Sequence, residues 1–156
     1  MIEAIERFAG VLPARGALIG LDLGTRTIGI AVSDPGRTIA SPLKTLRRGR
    51  FRADARTLLA LAAERGVAGL VLGLPRNMDG SEGPRCQSTR AFARNLEGLT
   101  ELAITFWDER LSTVAAERAL LEADLSRKRR GEVIDHVAAS LILQGVLDRM
   151  RHTGAR

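Results

Sequence analysis

"LIGLDLGTRTIGIAVSD", Leu18–Asp34, decides the fold of this chain. Ala17 to Leu23 is apolar enough for a central strand, and Thr27 to Ser33, a mixture of small and β-branched residues, reads as a second strand beside it. "DPGR", Asp34 to Arg37, places Pro and Gly where a tight reversal wants them. A short third strand around Thr38 to Ser41 would complete an antiparallel meander. One residue breaks the pattern: Asp22 stands inside the apolar run, where a carboxylate is expensive to desolvate unless something positive meets it. Gly24, two residues on, lets a ligand approach the backbone closely. Turn capping is the alternative role for Asp22, but caps sit at strand ends rather than within the apolar run.

Outward from this stretch the period changes. Arg52 to Arg65 has Ala55, Leu58, Leu59 and Ala62 at helical spacing, with Gly66 where a C-cap belongs. "GLVLGLP", Gly69 to Pro75, is a short apolar run between breakers, the mark of a buried parallel strand. A polar loop over Gly80 to Pro84 precedes a helix over Gln87 to Leu96, and Leu102 to Trp107 reads as a further strand. Thr113 to Glu122 reads as a helix, Leu125 to Gly131 as a basic loop, and Glu132 to Met150 as the last helix. Three strands followed by strand-helix alternation predict an α/β fold, a mixed five-stranded sheet with helices on both faces. Residues 1–16 read as an N-terminal extension outside the core, 17–150 as the single domain and 151–156 as a C-terminal tail.

Composition narrows the function. The 156 residues are 45% hydrophobic and 27% charged, enough for one domain with its own core. Aromatics are 3%, so stacking platforms for unpaired bases do not dominate any nucleic-acid contact. The single cysteine, Cys86, makes no internal disulfide, and no signal-peptide pattern opens the chain, which together predict a cytoplasmic protein. No apolar run is long enough to span a bilayer. A net charge of +6, mostly from arginine, suits a polyanionic partner, although an arginine-rich coding bias would produce the same balance.

Two further acids stand in awkward places. "FWDERLST" ends its strand in Asp108 and Glu109, and alternation turns those two side chains to opposite faces, so only one can join a site beside Asp22. In "GEVIDHVAAS", Asp135 has Ala138, Ala139 and Ile142 at i+3, i+4 and i+7, which puts it on the apolar stripe of the last helix. Three such acids make sense if they converge on divalent cations. Mg²⁺ or Mn²⁺ takes oxygen ligands, whereas two histidines and one cysteine offer no zinc set. A pair of ions about 3.5–4 Å apart would bind the attacking and leaving oxygens of a phosphodiester.

"GLDLGTRTIGIAVSD", "VLGLPRNMDGSEG", "DERLST" and "VIDHVAAS", in that order, resemble the YqgF/RuvX family of Holliday junction resolvases and pre-16S rRNA nucleases, from about Leu18 to about Leu147. The resemblance implies a ribonuclease H-like fold and metal-dependent hydrolysis by carboxylates matching Asp22, Glu109 and Asp135. Maturation of the 5′ end of 16S rRNA, with branched DNA as a further substrate, is the role it implies. Within "GLPRNMDG", Asn77 and Asp79 follow a strand's C-terminal end, where open sheets place ligands, and are candidates for substrate contact or for plain turn formation. Arg110 is a candidate support for Glu109. Arg127, Lys128, Arg129 and Arg130 are candidates to grip flanking phosphates, and Arg47 to Arg52 would extend that track. Where many relatives carry a small hydroxyl residue after the last aspartate, this chain has His136, either a surface replacement or a proton shuttle.

Two other classes compete. "DLGTRTIG" is also similar to the phosphate-binding strand turn of the actin, hexokinase and heat-shock chaperone ATPases, which close two comparable domains over nucleotide, and this chain is too short for a second one. The other is a non-catalytic RNA-binding ribosome-assembly factor with the same fold. Sequence leaves monomer and homodimer equally open.

Overall fold

The computed structural model describes residues 1–111 and 127–153, and the side chains of all of these except 127–135. Its elements run α1 (Ile5–Val11), β1 (Ala17–Leu23), β2 (Thr27–Ser33), β3 (Ala40–Arg47), α2 (Phe51–Glu64), β4 (Val67–Leu74), α3 (Pro84–Glu97), β5 (Ala103–Asp108), a 3-10 turn over Glu109–Leu111, and α4 (Arg127–His152). The sheet order is β3-β2-β1-β4-β5. β1, β2 and β3 pair antiparallel, while β4 joins β1 and β5 joins β4 in parallel. Helices cover both faces, as the sequence predicts.

Strand alternation sorts the core into two layers. Ile19, Leu21 and Leu23 of β1 face α2 and α3, packing with Ala55, Leu58, Phe92 and Leu96. Leu18, Gly20 and Asp22 face the other way, where α4 crosses β1, β2 and β3. Gly20 is what admits that helix: a Cβ there would stand 2.7 Å from the Cβ of Leu143 and 2.9 Å from the Ala139 carbonyl. Ala138, Ala139 and Ile142, the predicted apolar stripe, are all buried against the sheet.

Three elements differ from the sequence expectation. β3 spans eight residues rather than the short piece around 38–41. It is an edge strand paired on one side only, so Pro42, Lys44 and Arg47 fit its exposed flank and hid its length. Its register to β2 slips between Ile30 and Ala31, which face Lys44 and Pro42 and leave Leu43 as the extra residue. The N-terminal residues do not stand outside the core: Phe8 is fully buried in the α4 layer, and Ile2 bridges to Ile104, with the Glu3 amide donating to the Ile104 carbonyl at 2.7 Å. They cover the outer edge of β5, an edge that would otherwise expose unpaired backbone groups. Arg127 to Arg130 lie in the first turn of α4 rather than in a loop. Gly131 had suggested a break, but Arg and Lys are good helix formers and a lone internal glycine weakens a helix by only about 1 kcal/mol. The helix predicted over Thr113 to Glu122 lies outside the described residues.

Candidate active site

The C-terminal ends of β1, β4 and β5 share one edge of the sheet because these strands are parallel. Asp22 sits near that edge on β1, 3% exposed, on the face covered by α4. In register it lies opposite Gly29 of β2, and Gly29 lies opposite Thr45 of β3, so the three form one row across the meander. At the β3 end of the row the Thr45 hydroxyl is 3.0 Å from His136 Nδ1 on α4. His136 is therefore tied to the sheet in a half-buried position rather than free on the surface. Asp135 precedes it in the helix, one turn before Ala139, whose carbonyl lies over Gly20. The Asp135 side chain lies outside the described residues.

Glu109 arrives at the same edge from β5. Ala103 and Trp107 face the α4 layer, and Glu109, next in alternation, places Oε2 3.0 Å from where a Gly73 Cβ would stand. That same point is 2.5 Å from Ile142 Cδ1. Gly73 thus leaves room on β4 for the Glu109 carboxylate beneath α4. Asp108 turns away, as alternation required, into an ion-pair cluster. Arg110 donates to both of its oxygens, the shortest bond being 2.7 Å, and Arg76 approaches at 3.6 Å. These partners hold the Asp108 carboxyl below its usual range, the Arg110 hydrogen bond foremost.

The cluster continues into the loop after β4. Glu82 accepts from Arg90 Nε at 2.6 Å and Nη2 at 2.7 Å and from Arg76 Nη2 at 3.0 Å. Sequence reading missed this cluster, since its members are spread over residues 76–110; only the excess of arginine beside acids hinted at it. Asn77 and Asp79 are used inside the loop: Asp79 Oδ1 accepts from the Ser81 hydroxyl and amide at 2.6 and 2.9 Å, and Asn77 Nδ2 donates to the Ser81 hydroxyl. The turn-forming role is the one the described bonds display. Arg110 likewise reaches the Met78 carbonyl at 3.4 Å, buttressing loop against strand. The side chains of Arg127, Lys128, Arg129 and Arg130 lie outside the described residues. Among the described residues no set of three metal-binding side chains is assembled; Asp22 and Glu109 are the two described acids of the predicted trio.

Glu82 gives a pH test of this scaffold. The Arg90 hydrogen bonds, ahead of the other contributions, pull its carboxyl from 4.5 down to about 2. A carboxyl with a lowered pKa in the folded state contributes stability that is fully present above 4.5 and is lost as pH falls through about 2. In urea titrations, the advantage of wild type over Glu82→Gln should be full at neutral pH, shrink below about 4.5 and vanish near 2. A difference that stays constant over that range would mean the Arg90 pair contributes nothing. Added salt should reduce the difference, because the group is partly solvated.

An antiparallel three-strand meander continued by two parallel strands, with helices on both faces and a long final helix across the meander, defines the ribonuclease H-like fold class. The fold matches RuvC of Thermus thermophilus solved with a Holliday junction substrate, with a TM-score of 0.54 over 90% of this chain and 97% of that one, at 12% identity. The chain belongs to the RuvX family, Holliday junction resolvase, whose model matches residues 16–149. It is 71% identical over 150 residues to a Ruegeria pomeroyi protein, covering 96% of this chain and 97% of the relative, and 70% identical over 152 residues to one from Paracoccus denitrificans, covering 97% and 96%. Both relatives bear the name "Putative pre-16S rRNA nuclease". At that coverage the alignments reach into the N-terminal segment that the family model leaves out.

Proposed function

We propose that this nuclease hydrolyses phosphodiester bonds at the 5′ end of precursor 16S rRNA, with branched DNA as a second substrate, using Asp22, Glu109 and Asp135. The observation that carries the reading is the delivery of Asp22 and Glu109, from strands 80 and more residues apart in sequence, to one face and one edge of the sheet. The substrate comes from the relatives' name.

The donors of the site are carboxylate oxygens, which suit a hard divalent ion such as Mg²⁺ or Mn²⁺, and burial of Asp22 on the α4 face adds to the fit. Two such ions, held by Asp22, Glu109 and Asp135, would supply an activated water and neutralise charge on the phosphodiester. The chain's own residues set the geometry. β1 fixes Asp22 through its pair with Gly29 of β2, one residue beyond the last pair with β4 at Leu21, and Gly73 clears the space that Glu109 fills. Arg110 holds Asp108 away from the site and, with Asn77 and Asp79, shapes the loop over which the substrate strand passes. Arg127, Lys128, Arg129 and Arg130, in the first turn of α4, bring cations to the flanking phosphates without reading sequence.

Purified protein should cut the 5′ leader of precursor 16S rRNA with Mn²⁺ present and leave it whole in chelator; a four-way DNA junction run in parallel ranks the two substrates. RNA that is bound but uncut under both conditions would replace the nuclease by a non-catalytic ribosome-assembly factor. Turnover of free nucleoside triphosphate alone would favour the ATPase relationship instead.

A further inference from the structure

We propose that Arg48 and Arg85 form a subsite for one backbone phosphate of the nucleic-acid strand, on the opposite side of the β1 terminus from Asp22. The proposal rests on the nuclease reading for the identity of its ligand. Immediately after Asp22 the chain leaves β1 through Leu23 and Gly24. The Leu23 carbonyl accepts from Arg85 Nη2 at 3.1 Å, and the Gly24 carbonyl accepts from Arg48 Nη1 at 2.6 Å. Two guanidinium groups, one from the segment after β3 and one from the first turn of α3, are thus fixed to the two backbone units that follow the buried acid.

Neither guanidinium is neutralised among the described residues. Among the described residues no carboxylate pairs with Arg48 or Arg85, in contrast to Arg76, Arg90 and Arg110, which are all matched by acids. Each arginine has five N–H donors in a planar fork, and one bond to a carbonyl leaves the others available. Arg48 is further immobilised over the Phe92 ring, 5.6 Å from its centroid, so little ordering remains to be done on binding. Both line a depression of about 230 Å³ together with Thr25 and Ser88, whose hydroxyls are donors as well.

Size selects the ligand. Sites that enclose a whole small molecule run to about 300–1,000 Å³. A depression of about 230 Å³ falls below that range and suits a single tetrahedral anion rather than a nucleoside triphosphate. Two forks, two hydroxyls and no acid form an environment for a phosphate diester. Because the pocket wall includes Leu23 and Gly24, a strand cut beside Asp22 would lay a neighbouring phosphate there.

The test measures binding of a single-stranded RNA in chelator, so that cleavage does not enter, by fluorescence anisotropy over a range of salt. Losing one phosphate contact on a single strand should lower the slope of log affinity against log salt by about 0.7, which is about fivefold weaker binding at a tenth of molar salt. Arg48→Gln with Arg85→Gln should show this loss, equally for unrelated RNA sequences. Arg85→Glu, at an exposed position, gives the same readout should the double variant fail to fold. Arg65→Glu changes the net charge by the same two units at the opposite edge of the sheet, before β4, and should leave the slope unchanged. Pocket variants that fold and match Arg65→Glu would overturn the subsite, leaving the two arginines as braces of the β1 terminus. Inorganic phosphate added to the RNA titration should compete only weakly; saturable binding of phosphate titrated alone, with an unchanged RNA slope, would also overturn the proposal. If the slope falls as expected while the metal-dependent cleavage assay is negative, the subsite stands and the hydrolytic reading fails.

Discussion

Replacing Asp22 with asparagine should lower the rate of RNA cleavage by more than about a hundredfold, with the far-ultraviolet circular dichroism of wild type retained. Residues that merely orient a metal's ligands cost about 10–100-fold when lost, and a direct ligand costs more. Asparagine keeps the volume of the side chain on β1 but removes its charge and one anionic oxygen, so a divalent ion loses the donor it needs while the strand pairs as before. Binding of RNA in chelator should persist, because the proposed phosphate contacts come from arginine and lysine. Cleavage by Asp22→Asn within a few fold of wild type would place the chemistry elsewhere on the molecule.

Gly20→Val is expected to have the largest effect on stability, about 3 kcal/mol or more, measured by urea unfolding. A Cβ alone would meet backbone at the Ala139 carbonyl, 2.9 Å away, and the Leu143 Cβ at 2.7 Å, and neither can rotate aside. Overpacking of a core commonly costs about 1–3 kcal/mol, and here α4 itself must lift from β1. A loss of that size is a large share of the roughly 5–15 kcal/mol that keeps a domain folded. Because α4 carries Asp135, the lifted helix should cost activity even in the fraction that stays folded. Gly10→Ala is the matching control: nothing lies within 4 Å of the added methyl on α1, and the gain in helix propensity should stabilise the protein by about 0.5–1 kcal/mol.

How far the sequence carried the fold depends on which interactions are local. β1 and β2 were legible to the residue because both are central strands, buried on both sides, and their apolar runs end at turn-forming residues. β3 was not, because an edge strand is selected for polarity on its free flank, and Pro42 and Lys44 lie beyond Ser41, where the expected strand ends. The start of α4 was missed for a related reason: four consecutive cations followed by glycine carry no apolar period, and only their propensity favours helix. Phe8 sits in a seven-residue helix whose burial depends on β4 and β5, strands about 60 and more residues later, so nothing near it announces the contact.

The site was partly legible. Asp22 is visible as a charge within an apolar strand, and strand alternation alone separates Glu109 from Asp108; Asp22 is buried, Glu109 lies by Gly73 under α4 and Asp108 turns to Arg110. Arg48 and Arg85 were not singled out as a pair, because 37 residues separate them and their relation exists only through the carbonyls of Leu23 and Gly24. The Arg76–Glu82–Arg90 cluster is equally non-local. Its members look like ordinary surface charges, and only the bidentate geometry at Glu82 shows that they fix the loop.

Counting Mn²⁺ bound per chain, by electron paramagnetic resonance with RNA present, examines the joint action of the acids directly. The account predicts two ions on wild type, and fewer on Asp22→Asn and on Glu109→Gln at the same free Mn²⁺. Equal binding by all three proteins would show that these carboxylates do not hold the metal.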